Sequence, residues 1–232
     1  MRVQLNLCGW LCSNVGLLLY YITDRNQFSG AESARQAALL ACIGEAAAAG
    51  VDFIQLREKD LSARALLNLA LRARDAVPRA SQTKLLINSR VDVAIASGAD
   101  GVHLRSSDIS ASDARVIFHK CGITDPTIGV SCHSLEDVRL TESHGADFAV
   151  FGPVFGKADA VARGVDALAN ICQRMHAASP KMPVLALGGV NVENAWGCMR
   201  AGADGIAGIR LFQQARDIHR LVKLLRGSSS RL

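Results

Sequence analysis

Short apolar runs recur along the chain, and each is followed by a longer stretch in which apolar residues recur at helical spacing. The apolar runs are continuous rather than alternating, as is typical of parallel strands that are buried on both faces. The pattern predicts eight strands, at 17–23, 53–57, 84–88, 101–104, 127–131, 148–154, 183–189 and 205–209. The stretches between and after them predict eight helices, at 31–49, 62–77, 91–97, 110–120, 134–145, 165–178, 192–201 and 211–226.

Gly-Ala-Asp precedes three of the predicted strands, at 98–100, 145–147 and 202–204, and Gly-Val-Asp at 50–52 is a looser copy. Each copy fits a glycine that ends a helix, followed by a turn into the next strand. Eight strand–helix units without a long linker predict an α/β fold, a single-domain (β/α)₈ TIM barrel over residues 17–228. A doubly wound open sheet is the alternative, but the turn after the first strand lacks the glycine pattern of that fold.

Composition and net charge indicate the kind of core and the class of partner. The chain is 50% hydrophobic and only 5% aromatic, which predicts a core built from small aliphatic side chains. The net charge of +5 favours anionic partners. There is no dense Lys/Arg run and no aromatic platform among basic residues, so no nucleic acid is expected. Small phosphorylated molecules fit a few focused cations.

Residues 1–16 precede the first predicted strand and are interpreted as an amino-terminal extension. Their apolar character raises the alternative of an export signal, but polar residues interrupt the run and no small-residue cleavage site follows. No other stretch reaches the roughly 20 apolar residues that a membrane span needs. Seven scattered cysteines without a CxxC pair indicate free thiols. We therefore expect a cytoplasmic enzyme without a membrane partner, with a homo-oligomer as an open alternative.

The residues that follow the strands of such a barrel face its active site. Alternation along the second strand places Gln55, Arg57 and Lys59 on one side. A planar guanidinium beside an ammonium group suits a diphosphate. The alternative is that the two cations form a surface salt network with nearby carboxylates such as Glu58.

Two further strand ends offer ligands for phosphate or metal. Asp108 follows the fourth strand and can ligate Mg²⁺ together with substrate phosphates; the alternative is an amino-terminal cap of the helix that begins near Ser110. Gly188 and Gly189 follow the seventh strand, and Arg210 follows the eighth. Barrels often bind a phosphate group at this place through backbone N–H groups, although the glycines can also serve only a tight turn.

The fifth strand ends in Ser131, Cys132 and His133. A histidine at a strand end beside hydroxyl groups is a candidate proton shuttle. Alternation turns the Cys132 side chain away from His133, which argues against covalent catalysis by this thiol.

Between residue 20 and about residue 212 the chain contains, in order, YYITDR, QLREKDL, LLINSRVDVAIASGADGVHL, IGVSCHSLEDV, GADFAVFGPVF and PVLALGGVNVENA with AGADGIAGI. Together these motifs resemble the thiamine phosphate synthase family, including its sister group of thiazole tautomerases. The resemblance implies a (β/α)₈ transferase of thiamine biosynthesis. It would join an aminopyrimidine methyl diphosphate to a thiazole phosphate, release diphosphate and use Mg²⁺.

The resemblance also implies a role for individual residues. The pyrimidine diphosphate would be held by Gln55, Arg57, Lys59 and Asn88, with Arg57 and Lys59 stabilising the departing anion, and the metal by Asp108. The implied catalytic set is completed by Ser131, His133 and Lys157, of which Ser131 and Lys157 also bind substrate. The thiazole phosphate would be held by Gly188, Gly189, Ile209 and Arg210.

Four places depart from the family pattern. In one of them, Arg105-Ser106-Ser107 precedes Asp108, where the family usually has a Gly-Gln-Asp-like turn. Ser89 stands at the second metal position, where a carboxylate is expected. The loop around Lys157 lacks the two threonines that grip the thiazole phosphate, and Arg210 replaces a serine. Two alternatives to the synthase therefore stay open. One is a metal-independent tautomerase in which His133 is the acid and base, and the other is a non-catalytic barrel that binds thiamine precursors.

Overall fold

The computed structural model describes residues 16–156, 161–177 and 182–229. Eight parallel strands form a closed barrel in which each strand pairs with the next along the chain, and the last pairs with the first. The strands are β1 (Leu18–Ile22), β2 (Phe53–Leu56), β3 (Lys84–Asn88), β4 (Gly101–Leu104), β5 (Thr127–Cys132), β6 (Phe148–Phe151), β7 (Val184–Leu187) and β8 (Gly205–Gly208). The predicted (β/α)₈ barrel is confirmed, and all eight strands occur at the predicted places.

A helix follows every strand, and two follow the last one. They are α1 (Glu32–Ala48), α2 (Ala63–Ala76), α3 (Val91–Ser97), α4 (Ala111–Lys120), α5 (Leu135–Ser143), α6 (Val165–His176), α7 (Ala195–Arg200), α8 (Arg210–Gln213) and α9 (Ile218–Ser229). The prediction of one helix at 211–226 is wrong. The backbone leaves the helix at Gln214, and Asp217 then accepts the N–H of Arg220 at 2.8 Å. This side-chain cap starts a new helix.

Strands β6 and β7 end three and two residues earlier than predicted, and both ends shape the mouth of the barrel. Strand β6 stops at Phe151, before Gly152–Pro153, because proline has no N–H to donate to the neighbouring strand. Strand β7 stops at Leu187 because Gly188 and Gly189 both have positive φ, 99° and 66°. The two loops that follow are joined by a hydrogen bond from the backbone N–H of Phe155 to the carbonyl oxygen of Gly188, at 2.9 Å.

Three aromatic rings pack against one another inside the barrel. Phe53 and Phe148 stack with ring centroids 4.7 Å apart, and Tyr20 meets them edge-on at 5.8 and 5.4 Å. Gly129 provides the space for the Phe148 ring, since a Cβ at this position would lie 2.4 Å from that ring. The expectation of a small aliphatic core is incomplete for this interior, where the rings pack among Leu, Ile, Val and Ala side chains. It holds for the layer between strands and helices, in which Ala, Val, Leu and Ile predominate.

The aspartate of each Gly-x-Asp copy bonds to the preceding strand at the amino-terminal end of the barrel. In every copy the carboxylate accepts a backbone N–H at 2.6–3.0 Å: Asp52 from Leu19, Asp100 from Leu85, Asp147 from Ile128 and Asp204 from Val184. Gly98 ends α3 in the left-handed conformation, as predicted for these glycines. The repeat therefore stabilises the face of the barrel opposite the strand ends.

Within the described ranges, no helix is long and apolar enough to cross a membrane. The described cysteines are free thiols, as predicted: Cys42, Cys121, Cys132, Cys172 and Cys198. Cys8 and Cys12 lie outside the described residues, as does the predicted extension up to residue 15.

Candidate active site

The predicted site residues gather in hollows at the carboxyl ends of the strands. One is a cavity of about 860 Å³ whose wall includes Arg57, Gly188, Gly189, Ile209 and Arg210. A hollow of about 220 Å³ is lined by Lys59, Asn88, Ser89, Arg90 and Arg105. A third, of about 150 Å³, contains Asp108 and Ser131 and shares Arg105 with the second. One end of the barrel thus holds nearly all of the predicted residues.

Arg57 is a half-buried cation in the wall of the large cavity. Burial lowers its pKa, and the Arg105 guanidinium lowers it further. Among the ion pairs of the described residues, none joins its guanidinium to a carboxylate, so the alternative of a surface salt network is wrong for Arg57. A partly desolvated guanidinium without a carboxylate partner is well suited to a substrate anion.

The neighbouring carboxylates are bonded to another arginine. Glu58 accepts from Thr23 Oγ1 at 2.6 Å and from Arg25 Nη1 at 3.1 Å, while Asp60 accepts from Arg25 Nη2 at 2.6 Å. Thr23 Oγ1 in turn accepts the backbone N–H of Arg57 at 2.9 Å. This network joins the ends of β1 and β2, and it fixes the backbone from which the Arg57 side chain projects.

Lys59 does not share the environment of Arg57. Strand β2 ends at Leu56, and Lys59 lies in a turn, so the strand alternation used to place it beside Gln55 and Arg57 does not reach it. It lines the second hollow, whereas Arg57 lines the first. The prediction that the three side chains share one side is therefore wrong for Lys59.

Gln55 and Asn88 form a polar pair at the ends of β2 and β3. Gln55 is buried, and its Nε2 donates to Asn88 Oδ1 at 2.8 Å. Asn88 Nδ2 donates to Ser89 Oγ at 3.1 Å. Ser89 has φ of 60°, an uncommon left-handed conformation for a residue other than glycine. The strained turn holds the Ser89 hydroxyl between Asn88 and Asp108, to which it also hydrogen-bonds.

Asp108 is bound closely by Arg105. Its Oδ1 accepts from Arg105 Nη2 and its Oδ2 from the Arg105 backbone N–H, both at 2.8 Å. The helix-cap alternative is wrong, because Ser110 caps α4 through the N–H of Asp113. Burial opposes the ionisation of Asp108, but hydrogen bonds from Arg105 and Ser89 outweigh it and hold the pKa of Asp108 below its ordinary value.

These contacts bear on the predicted Mg²⁺. In proteins Mg²⁺ takes one or two carboxylates together with substrate phosphates and demands near-octahedral oxygen geometry. Here both oxygens of Asp108 already accept from Arg105, and Ser89 offers only a neutral hydroxyl. No group of three His, Cys, Asp or Glu side chains that could hold a metal occurs in the part of the chain that the structure describes. The residues do not fit a metal ion held by the protein, and Mg²⁺ stays a prediction from the resemblance.

Gly188 and Gly189 bring the chain close to the loop after β6. A Cβ on Gly188 would lie 2.5 Å from Pro153 Cα, so only glycine fits this approach. Arg210 opens α8 on the same cavity wall. Backbone and guanidinium groups therefore meet at the predicted phosphate position. Lys157, predicted as catalytic and substrate-binding, lies outside the described residues.

The sequence reasoning missed His103, which lies inside the barrel. Its Nε2 is 2.8 Å from Ser131 Oγ, and the ring is fully buried beside Tyr20. Burial lowers the pKa of His103 to about 3, and the charge on Arg57 adds to the effect. The neutral ring positions the Ser131 hydroxyl at the mouth. The available signal was a polar residue in the middle of a strand that is buried on both faces.

Lowering the pH should reveal the effect of the buried His103 on stability. Because its folded pKa is depressed, its contribution to stability is present above the ordinary value of 6.5 and is lost as the pH falls towards about 3. The slope is about 1.4 kcal/mol per pH unit within this window. We expect His103→Gln to show a shallower loss of unfolding free energy than the wild type in urea titrations at successively lower pH. Parallel curves for the two proteins would contradict this assignment.

His133 is exposed at the end of β5, and its tautomer is fixed. Its Nδ1 lies 2.6 Å from the carbonyl oxygen of Gly152, which can only accept, so Nδ1 carries a proton and the neutral ring has a lone pair on Nε2. Cys132 points the other way, as predicted, and contacts Thr141 in the outer layer. Burial raises the pKa of the Cys132 thiol to about 12, which disfavours the thiolate that a nucleophile requires.

Comparison with known proteins gives one consistent family. The family model described as "Thiamine monophosphate synthase" matches residues 19–212. The thiamine-phosphate synthase of Coprothermobacter proteolyticus is 38% identical over 213 residues, which cover 90% of this chain and 93% of the relative. That of Clostridium acetobutylicum is 35% identical, with 90% and 94% covered. The solved structure of thiamine phosphate pyrophosphorylase from Pyrococcus furiosus is 32% identical, with a TM-score of 0.75 and coverage of 93% and 96%.

Proposed function

Because the chain belongs to the thiamine monophosphate synthase family, we propose that it is a thiamine-phosphate synthase, a transferase of thiamine biosynthesis. It joins an aminopyrimidine methyl diphosphate to a thiazole phosphate and releases diphosphate. The observation that carries the proposal is Arg57, a half-buried guanidinium without a carboxylate partner among the described ion pairs, in the wall of a cavity of about 860 Å³. A cavity of this size is ample for small ligands.

The reaction requires one bond to break and one to form. The bond between the methylene carbon and the diphosphate oxygen breaks, and the diphosphate leaves with the electron pair. The lone pair of the thiazole nitrogen then forms the new carbon–nitrogen bond, so no proton needs to move. The protein supplies position and stabilisation of the departing anion. Arg57 is placed to stabilise that anion, and Lys59 lines the adjoining hollow.

Polar groups at neighbouring strand ends suit the two substrates. Gln55 and Asn88 offer hydrogen-bonding amides near Arg57, where a pyrimidine diphosphate would lie. Gly188, Gly189 and Arg210 offer backbone N–H groups and a guanidinium in the wall of the cavity that Arg57 also lines, where a thiazole phosphate would lie. Ser131, held by His103, is placed between the strand ends to contact a substrate.

Direct synthesis tests the proposed function. We expect purified protein to form thiamine phosphate from the two phosphorylated halves, detected as the thiochrome derivative by fluorescence. Reactions are run with excess chelator and with millimolar Mg²⁺. Absence of product under both conditions would contradict the proposal. Turnover would exclude a non-catalytic barrel.

A thiazole tautomerase is the second candidate, and His133 favours it. The protonated Nδ1, held by Gly152, leaves Nε2 of the neutral ring as a proton acceptor at the strand end. This activity predicts that the protein isomerises a thiazole carboxylate phosphate, that chelator has no effect, and that His133→Asn abolishes the isomerisation. If His133→Asn also leaves thiamine phosphate formation intact, the two activities are separable.

A further inference from the structure

The Arg105 guanidinium lies beside the carboxylate on which the predicted metal site depends. It lines the second hollow with Lys59, Asn88 and Ser89, and it is close enough to Arg57 to lower the pKa of that residue. Its Nη2 and backbone N–H bond to the two oxygens of Asp108. A cation therefore already stands where a metal ion would need the Asp108 oxygens.

The charges balance in the same way as in a metal site. A dication held by two carboxylates has a net charge of zero, and so has one guanidinium held by one carboxylate. Here the pair is Arg105 with Asp108, and the second position is the neutral hydroxyl of Ser89. The loss of one carboxylate at Ser89 and the presence of a guanidinium at Arg105 thus compensate each other.

We propose that Arg105 takes the place of a divalent metal ion, so that the protein binds the diphosphate group of its substrate through guanidinium and ammonium groups without Mg²⁺. This inference rests on the proposed function, since it concerns the diphosphate of that substrate. Asp108 is then a positioning residue that holds the Arg105 guanidinium over the hollow.

The donor geometry of Arg105 supports this role. A guanidinium has five N–H donors in a planar fork, and Asp108 engages those on Nε and Nη2. No hydrogen bond from Nη1 is present within the described residues, so this group can donate to a phosphate oxygen. Arg90, the other guanidinium of this hollow, is paired on its Nε and Nη2 with Asp92, and Lys59 adds an ammonium group to the lining.

Calorimetric titration with inorganic diphosphate tests the role of Arg105 without any need for turnover. We expect the wild-type Kd to be the same in chelator and in millimolar Mg²⁺. Arg105→Ala should raise the Kd by about 10- to 100-fold, the value of one charged hydrogen bond. Arg139→Ala, which removes an exposed arginine of α5, is the matched control and should leave the Kd unchanged.

A double variant that reverses the proposed exchange tests the inference independently of Arg105→Ala. Ser89→Asp combined with Arg105→Gly restores two carboxylates and removes the guanidinium. We expect this protein to bind Mn²⁺, detected by electron paramagnetic resonance, and to bind diphosphate only with a divalent ion, whereas the wild type binds Mn²⁺ weakly. Diphosphate binding by the wild type that requires Mg²⁺ and is unaffected by Arg105→Ala would overturn the inference but leave the synthase intact. Absence of diphosphate binding under every condition would overturn both.

Discussion

Arg57→Ala is expected to lower kcat/KM for thiamine phosphate formation by about 10³-fold, comparable to the removal of a donor that stabilises a developing anion. The effect is large because the guanidinium is partly desolvated and has no carboxylate partner among the described ion pairs, so its field is available to the leaving diphosphate. Initial rates at varied pyrimidine diphosphate, with thiazole phosphate saturating, measure the loss. The urea midpoint of unfolding should stay the same, since it is the backbone N–H of Arg57 that donates to Thr23 Oγ1, and the substitution keeps this group.

The conservative variant separates charge from geometry. Arg57→Lys keeps the charge but loses the planar fork, so we expect an intermediate loss of about 10- to 100-fold. Arg139→Ala, on the exposed face of α5, is the control and should retain wild-type kcat/KM. If Arg57→Ala were as active as the control, Arg57 would have no part in diphosphate departure.

The strands could be predicted because each is a continuous apolar run between polar turns, and parallel strands buried on both faces leave no other pattern. The break in the last predicted helix could not be predicted, because apolar residues keep helical spacing throughout 211–226. Asp217 nevertheless caps a second helix in the middle of this range. The aromatic interior was also missed. Composition counts the rings but does not show that Tyr20, Phe53 and Phe148 meet in one place.

The candidate site could be predicted where it depends on single strand ends, as for Arg57, Gly188 and Arg210. It could not be predicted where it depends on pairing between side chains. Asp108 was predicted as a metal ligand, but it forms an ion pair with Arg105. This pairing cannot be read from either residue by itself. His103 was missed because it precedes the end of its strand, although alternation from Gly101 turns it inward to Ser131.

Gly101→Ala is expected to prevent formation of the native barrel, with a loss of unfolding free energy of at least about 3 kcal/mol. A Cβ at this position would lie 1.8 Å from the carbonyl oxygen of Thr127, on the paired strand β5. The contact is with backbone, and a closed barrel offers no free edge towards which β5 could move. Urea unfolding followed by circular dichroism, together with the yield of soluble protein, measures the effect.

Gly197→Ala is the matched control for this substitution. Gly197 lies within α7, and an added Cβ would meet no heavy atom within 4 Å. Alanine is the better helix former, so this variant should be as stable as the wild type or more stable by up to about 1 kcal/mol. The two glycines thus receive the same methyl group with opposite expected effects. A Gly101→Ala protein with the urea midpoint of Gly197→Ala would mean that β4 and β5 are not packed as closely as this barrel requires.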